Sequence, residues 1–147
     1  MERLEIFEVK EACDGYVWAI NRLLAQLSSS GRCLTLGQLQ TMVDSAASHL
    51  FLGKVDGEVV AMLTLGEYLA PTGRKMWIED VVVDAAARGN SFGRAMVEYA
   101  IGYARGLGDG ALMLTSRPSR IAANALYRSS GFEQKETNVY KMEIEKE

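Results

Sequence analysis

The sequence predicts a mixed α/β fold, with a largely antiparallel central sheet of about six to seven strands flanked by about four helices. Three observations predict it. Apolar runs with strand patterning alternate along the chain with amphipathic runs at helical spacing. Asp56-Gly57 separates two such strand-like runs, His49 to Val55 and Glu58 to Tyr68, and forms a strong hairpin signal because Gly supplies the positive φ that a two-residue turn needs. Further on, Lys75 to Asp84, a helix and Ala111 to Thr115 read as strand, helix, strand.

Taken in order, Leu4 to Val9 reads as a first strand. Ala12 to Ser28 carries Val17, Ile20, Leu24 and Leu27 at helical spacing and ends in Ser28-Ser29-Ser30-Gly31. Thr35 with Gln38 makes a capping-box pattern, after which Leu39, Met42, Val43 and Ala46 share one face. Within the hairpin, Val59 to Leu65 is almost continuously apolar, as a central strand buried on both faces would be. The best amphipathic helix aligns Phe92, Ala95, Met96, Tyr99, Ala100 and Tyr103, and stops in Gly106-Leu107-Gly108-Asp109-Gly110, a cap and turn. A last helix spans about Ser119 to Ser130 with Gly131 as its left-handed cap. Phe132 to Glu136 and Asn138 to Ile144 then read as two strands, the second alternating Tyr140, Met142 and Ile144 with Lys141, Glu143 and Glu145.

The chain of 147 residues is long enough for about one domain with a sizeable core, and with only two prolines and no repeat, residues 1–147 read as a single domain. Apolar residues at 48% and charged residues at 24% exclude disorder and low complexity. A net charge of −3 argues against nucleic acid as a partner. Cys13 and Cys33 stand singly, and His49 does not complete a zinc pattern with them, so neither metal nor thiol catalysis is expected. No apolar run reaches membrane-span length, and the acidic start Met1-Glu2-Arg3-Leu4-Glu5 is no signal peptide, so the expected location is the cytoplasm, with no membrane partner.

Trp77 to Met96 carries the chemistry: an apolar strand gives way to a glycine-bearing turn, Arg88-Gly89-Asn90-Ser91-Phe92-Gly93, that opens a helix. The first turn of a helix leaves N–H groups without internal partners at the positive end of the dipole, which suits a phosphate. Neither the Walker nor the dinucleotide glycine spacing is present.

Together with Ser119 to Phe132, this segment resembles the two signature motifs of the GNAT superfamily of acyl-CoA-dependent N-acetyltransferases, an R/Q-x-x-G-x-G/A loop and a later A-x-x-L-Y-x-x-x-G-F. Arg88, Gly93, Ala123, Leu126, Tyr127, Gly131 and Phe132 match in order and spacing, and the order of elements agrees over nearly the whole chain. Ser91 stands where the family usually has the first loop glycine, and Arg120 where an Asn often contacts the cofactor. Ser91 keeps a hydroxyl for capping the helix or bonding a phosphate.

The resemblance implies an acetyltransferase using acetyl-CoA as co-substrate, without metal. It implies pantetheine along Val81, Val82 and Val83, and pyrophosphate over Arg88, Gly89, Asn90, Ser91, Phe92, Gly93 and Arg94, with Arg120 and Ala123 also at the cofactor. Backbone amides let an acidic chain hold such a polyanion. An alkyl amine is less than ~0.1% neutral at pH 7, so a proton acceptor is needed. Of Glu79 and Asp80, which alternate in direction on a strand, Glu79 is favoured, acting directly or through water. A backbone N–H near Val81 would meet the oxyanion, and the resemblance places the Tyr127 hydroxyl beside the departing sulfur. Trp18, Tyr68, Arg74 and Trp77 are candidate acceptor-lining residues. The expected acceptor is a small-molecule primary amine attacked directly in a ternary complex, with a homodimer left open. A protein or peptide N-acetyltransferase and a non-catalytic acyl-CoA-binding module are the alternatives. The strand Ile78-Glu79-Asp80-Val81-Val82-Val83-Asp84 is also similar to that of glucosamine-phosphate N-acetyltransferases.

Overall fold

A computed structural model describes residues 3–146; Met1 and Glu2 of the acidic N-terminal run, and Glu147, lie outside the described residues. The chain divides into two compact units, Met1–Thr115 and Ser116–Glu147. In the first, β1 (Glu5–Glu8), α1 (Asp14–Leu27), α2 (Leu36–Asp44), β2 (Ser48–Val55), β3 (Glu58–Ala70) and β4 (Gly73–Val83) are followed by a 3-10 turn (Ala85–Ala87), α3 (Phe92–Leu107) and β5 (Ala111–Met113). The sheet order is β1-β2-β3-β4-β5. β1 to β4 pair antiparallel, β2–β3 and β3–β4 through tight turns and β1–β2 by way of α1 and α2, whereas β5 lies parallel to β4 because α3 carries the chain back across the sheet. The mixed, mostly antiparallel α/β class therefore stands.

Local chemistry explains the boundaries. The capping box is formed: Thr35 Oγ1 accepts from the Gln38 N–H at 3.1 Å, and Gln38 Oε1 accepts from the Thr35 N–H at 2.9 Å. Asp56 and Gly57 both take positive φ, as the β2–β3 turn requires. Gly110 is required by close approach, because a Cβ there would sit 2.7 Å from the Arg74 carbonyl oxygen where β5 meets β4.

Cross-strand register sorts the sheet into two faces. Leu50, Leu52, Met62 and Val82 form one core cluster with Ala19, Ile20 and Leu23 of α1 and Leu39 of α2. On the other face Phe51 packs its ring against Tyr99 and Tyr103 of α3, at centroid distances of 5.2 and 5.0 Å. Val59 to Leu65 is buried except for Thr64, so the continuous apolar run does mark a strand covered on both faces.

Two polar networks tie the elements together, and both escape sequence reasoning because their members are far apart in the chain. On α1, Arg22 donates to Asp84 through Nη1 and to the Val59 carbonyl through Nη2 at 2.7 Å. Gln26 Nε2 donates to Asp84 at 3.4 Å while Gln26 Oε1 accepts from the Ala85 N–H at 2.8 Å. On the α3 face, His49 lies between two carboxylates, with Nδ1 3.0 Å from Glu8 and Nε2 2.7 Å from Glu67. Tyr103 donates to Glu8 at 3.0 Å, and Arg74 donates to Glu67 at 2.7 Å. Burial would raise the Glu8 carboxyl, but hydrogen bonds from Lys10, His49 and Tyr103 outweigh it and hold the group below its ordinary value. Burial and the Glu8 carboxylate push the Tyr103 phenol up to about 12.

In the second unit, α4 (Ile121–Ser129) ends in Gly131 at φ 105°, and the Phe132 N–H donates back to the Tyr127 carbonyl at 3.0 Å. The two expected strands, Phe132 to Glu136 and Asn138 to Ile144, are not formed: residues 132–146 contain neither helix nor strand. Among the described residues the sheet thus has five strands instead of six to seven. Period-2 alternation makes a ribbon suitable for a sheet, but a strand exists only where another edge supplies its hydrogen bonds.

The Arg22–Asp84 contact yields a signed expectation. Hydrogen bonds from Arg22 hold the Asp84 carboxyl below its ordinary 3.8, so its stabilisation is present above that value and is lost as pH falls through the folded pKa. Asp84→Asn is expected to cost about 1.5–3 kcal/mol at pH 7 in urea unfolding. The gap between variant and wild type should close as the pH is lowered below 3.8.

Candidate functional site

Strand β4 changes character along its length. From Lys75 to Trp77 it is paired on both edges, with β3 on one side and Ala111 to Met113 of β5 on the other. Beyond Trp77 only β3 pairs with it in the sheet, leaving the edge from Ile78 to Val83 without a strand partner among the described residues. The register also slips there: Thr64 faces Glu79 but Met62 faces Val82, so Asp80 and Val81 together oppose Leu63. This is a β-bulge, and the extra residue leaves a backbone group outside the ladder. Asp80 absorbs the distortion at φ 51°, in the left-handed region.

The bulge resets the parity of the strand. Glu79 and Val82 share a face, since their partners Thr64 and Met62 do, and Val82 on that face is buried in the α1–α2 cluster. Trp77 opposite Gly66 and Lys75 opposite Tyr68 continue the same row. Arg74 points to the other face, where it meets Glu67, so of the candidate lining residues the fold aligns Tyr68 and Trp77 with Glu79 and separates Arg74. Trp18 is 66% exposed on α1, its ring centroid 5.6 Å from the Arg22 guanidinium. Desolvation, then the neighbouring Asp80 charge, raises the Glu79 carboxyl above its ordinary value.

After β4 the chain turns through Ala85–Ala87 into the loop that opens α3. Arg88 is exposed, and its Nε reaches back to the Val83 carbonyl at 3.3 Å. Gly89 has φ 87° with no heavy atom within 4 Å of where a Cβ would sit, leaving its backbone accessible. Asn90 Nδ2 donates to the Ala87 carbonyl at 3.0 Å and so braces the turn. Ser91 is the N-cap of α3, but its side chain makes no cap hydrogen bond and its backbone sits at φ 61°. The capping role expected of its hydroxyl is therefore not formed, and the left-handed geometry explains why a glycine suits this position. The Phe92 side chain is buried with Val55, Val60 and Ala87, so Phe92, like Val82, offers a ligand only its backbone. Arg94 is exposed on the first turn, with Glu98 at 4.0 Å, and Gly93 is half-buried beside it. The first-turn amides of Phe92, Gly93 and Arg94 have no intrahelical acceptors by geometry, which makes this end of α3 suited to an anion.

In the second unit, Arg120 is the exposed N-cap of α4 and Ala123 is half-buried one turn on. Tyr127 is 8% exposed, with its ring edge-on to Phe132 at 6.1 Å. Burial raises its phenol above 10.0, with the Arg120 charge acting weakly the other way. No group of three or more His, Cys, Asp or Glu side chains among the described residues is placed to hold a metal ion. Nor is any helix among them long and apolar enough to cross a membrane.

A bulged strand with one open edge thus leads into an exposed helix N-terminus, so unpaired backbone groups along β4 are followed in the chain by the anion-suited amides that open α3. The acetyltransferase (GNAT) family model matches residues 17–132, and the chain belongs to that family. GNAT acetyltransferases use acetyl-CoA as co-substrate. A curated relative, glucosamine 6-phosphate N-acetyltransferase 1 from Oryza sativa subsp. japonica, is 25% identical over 139 residues, covering 90% of this chain and 82% of that protein. Among solved structures, a glucosamine-6-phosphate N-acetyltransferase from Arabidopsis thaliana matches with a TM-score of 0.81 at 19% identity, covering 96% of this chain and 99% of that one. An aminoglycoside acetyltransferase from an uncultured soil metagenomic sample, in complex with sisomicin, matches at 0.82 and 16% identity, covering 97% of both chains. These two likenesses establish the fold.

The strain at Ser91 can be measured. Ser91→Gly relieves a left-handed cost of roughly 1–2 kcal/mol per residue, partly offset by the roughly 0.5–1 kcal/mol that glycine loses in chain entropy. The variant is expected to unfold at a temperature equal to or above that of wild type in calorimetry. A clearly lower one would show that the hydroxyl, not the backbone, matters at this position.

Proposed function

We propose that this chain transfers an acetyl group from acetyl-CoA to a primary amine of a small molecule by direct attack in a ternary complex. The observation that carries the reading is the β4 bulge, which sets the raised carboxyl of Glu79 next to a strand edge with free backbone groups. In this reading residues 1–147 act as one domain in the cytoplasm, with neither nucleic acid nor membrane as a partner.

The open edge at Val81, Val82 and Val83 pairs with the amides of pantetheine. The amides of Gly89 to Arg94 hold the pyrophosphate, with Arg88, Arg94 and Arg120 adding positive charge and Ala123 packing at the cofactor. Glu79 takes the proton from the acceptor ammonium, directly or through water. A carboxyl raised by burial and by Asp80 is a better match for that task than an ordinary one. As the amine nitrogen bonds to the thioester carbon, the oxyanion is met by the backbone N–H near Val81. When the carbon–sulfur bond breaks, Tyr127 donates a hydrogen bond to the thiolate, which takes up the second proton that the attacking nitrogen loses on becoming the amide. Because burial raises its phenol further above an ordinary thiol's pKa of about 8.5, the tyrosine keeps its proton as a donor.

The adjacent carboxylates of Glu79 and Asp80, both exposed, favour a cationic acceptor. An amino sugar phosphate is the second reading, supported by the rice relative named for glucosamine 6-phosphate.

The deciding experiment is a thermal-shift titration with acetyl-CoA, followed by thiol release over polyamines, aminoglycosides, glucosamine 6-phosphate and peptides. Stabilisation by acetyl-CoA without thiol release from any amine would leave only a binding module. Glu79→Gln is expected to lower kcat/KM about a hundredfold. Asp80→Asn should move the acidic limb of the pH profile downward, because it removes the like charge that raises Glu79. Tyr127→Phe is expected to lower kcat about ten- to a hundredfold, the scale of one hydrogen bond to a charged group, with little change in acetyl-CoA affinity. Unchanged turnover would remove Tyr127 from the mechanism.

A further inference from the structure

Folding alone does not call for a glycine at position 66. The residue lies in β3, the central strand of the sheet, opposite Ser48 of β2 and Trp77 of β4, where a glycine forgoes packing and loses more chain entropy than other residues. A positive φ, a bulge or the close approach of other atoms accounts for most glycines within strands. Gly66 does not take a positive φ, both ladders keep their register beside it, and a Cβ there would meet no heavy atom within 4 Å. That clearance also excludes the Trp77 ring as a cover for its cross-strand glycine, since ring atoms would then fall inside it.

The side chains around this gap face the same way. Ser48, Gly66 and Trp77 form one row across β2, β3 and β4, and Leu50, Thr64 and Glu79 form the next. Helices α1 and α2 cover one end of this face and leave the other open: along β3, Met62 is 2% exposed, Thr64 and Gly66 are half-buried, and Tyr68 is 55% exposed. The glycine therefore opens a notch at the margin of that cover. Around it stand two half-buried hydroxyl residues, Ser48 and Thr64, and two aromatic ones, Trp77 and Tyr68. Glu79 is the diagonal cross-strand neighbour of Gly66, a separation of about 7–8 Å in an antiparallel pair.

We infer that Gly66 determines the acceptor specificity of the site: the space left by its missing side chain receives a six-membered ring that carries the amine and hydroxyl groups. The inference rests on the acetyl-transfer reading, with Glu79 as proton acceptor. A ring seated over Gly66 brings its substituent nitrogen within reach of Glu79, sets hydroxyls beside Ser48 and Thr64, and lays an apolar face toward Trp77 or Tyr68. A short straight-chain amine reaches the same carboxylate without filling the notch, so it gains nothing from the glycine.

Thiol release by the full-length chain tests this with two acceptors, glucosamine and ethanolamine; the second keeps an amine and a neighbouring hydroxyl but has no ring. The wild type is expected to favour glucosamine in kcat/KM. Gly66→Val should lower kcat/KM for glucosamine about ten- to a hundredfold, mainly through KM, and leave ethanolamine within about twofold, because a side chain in the notch excludes only the ring. The variant should unfold at or above the wild-type temperature and keep its thermal shift with acetyl-CoA, since valine suits a strand and its Cβ meets nothing. Gly66→Ala should show a smaller loss with the same selectivity, and it carries the comparison should valine disturb the sheet. A wild type that favours ethanolamine, or a folded variant that loses both amines equally or neither, overturns the inference and leaves acetyl transfer in place. A wild type that turns over neither amine overturns it too, and the wider amine panel then shows whether acetyl transfer falls with it.

Discussion

Strand β4 has to satisfy two opposed demands, and much of the site follows from how it does so. Its buried side chains must stay in register with β3 to close the core, as Met76, Ile78 and Val82 do. In the proposed function its backbone must also leave hydrogen-bonding groups free for a ligand, which a fully paired strand cannot do. The bulge at Asp80–Val81 reconciles them by adding one residue where β5 no longer pairs. Val82 regains the core face while backbone groups between it and Glu79 leave the ladder. The cost is a non-glycine residue held at φ 51°, of order 1–3 kcal/mol, and such strain persists only where the surroundings over-determine it.

The surroundings here are the contacts that fix both ends of the strand. Arg22 and Gln26 of α1 hold Asp84 and Ala85 just past the end of β4, and the Asp84 N–H donates to the Val60 carbonyl at 2.7 Å. At the other end Arg74 is tied through Glu67 to His49, joining β4 to β2 and, through Glu8 and Tyr103, to β1 and α3. With both ends anchored, the direction of the chain into the Arg88–Arg94 loop is set by packing on both faces of the sheet. Pre-organised backbone donors suit a polyanionic ligand because they require little reorganisation on binding. They also let a protein of net charge −3 accept such a ligand without a broad basic surface.

The residues tied to function divide by how local their signals are. The loop before α3 and the segment around Tyr127 are legible as motifs, since their glycines, caps and helix starts are short-range events. Glu79 is legible as a carboxylate on a strand, but its face is not. The parity argument holds for a regular strand, and the residue that breaks it, Asp80, is not a glycine that would announce a bulge. Ser91 shows the converse: a cap-forming residue by type sits in a left-handed conformation with its hydroxyl unused as a cap. The clusters around His49 and Asp84 were invisible because the side chains that meet those two residues lie 18 to 62 positions away in the chain and come together only when the sheet is folded, as do Glu8 and Tyr103, 95 residues apart.

By itself, the sequence determined the element types and order through β5, the capping box, the hairpin turn, the central strand and the family to which the chain belongs. Each depends on periodicity, turn chemistry or a short motif, all of them local properties. Tertiary structure alone decided the register slip in β4, the face shared by Glu79, Trp77 and Tyr68, the opposite placement of Arg74, and the two polar networks. It also left Asn138 to Ile144 out of the sheet despite its strand pattern. The physical reason is common to all of these: a side chain's environment and a strand's existence depend on which other segment supplies the facing surface. Alternation fixes only what a segment is able to pair with.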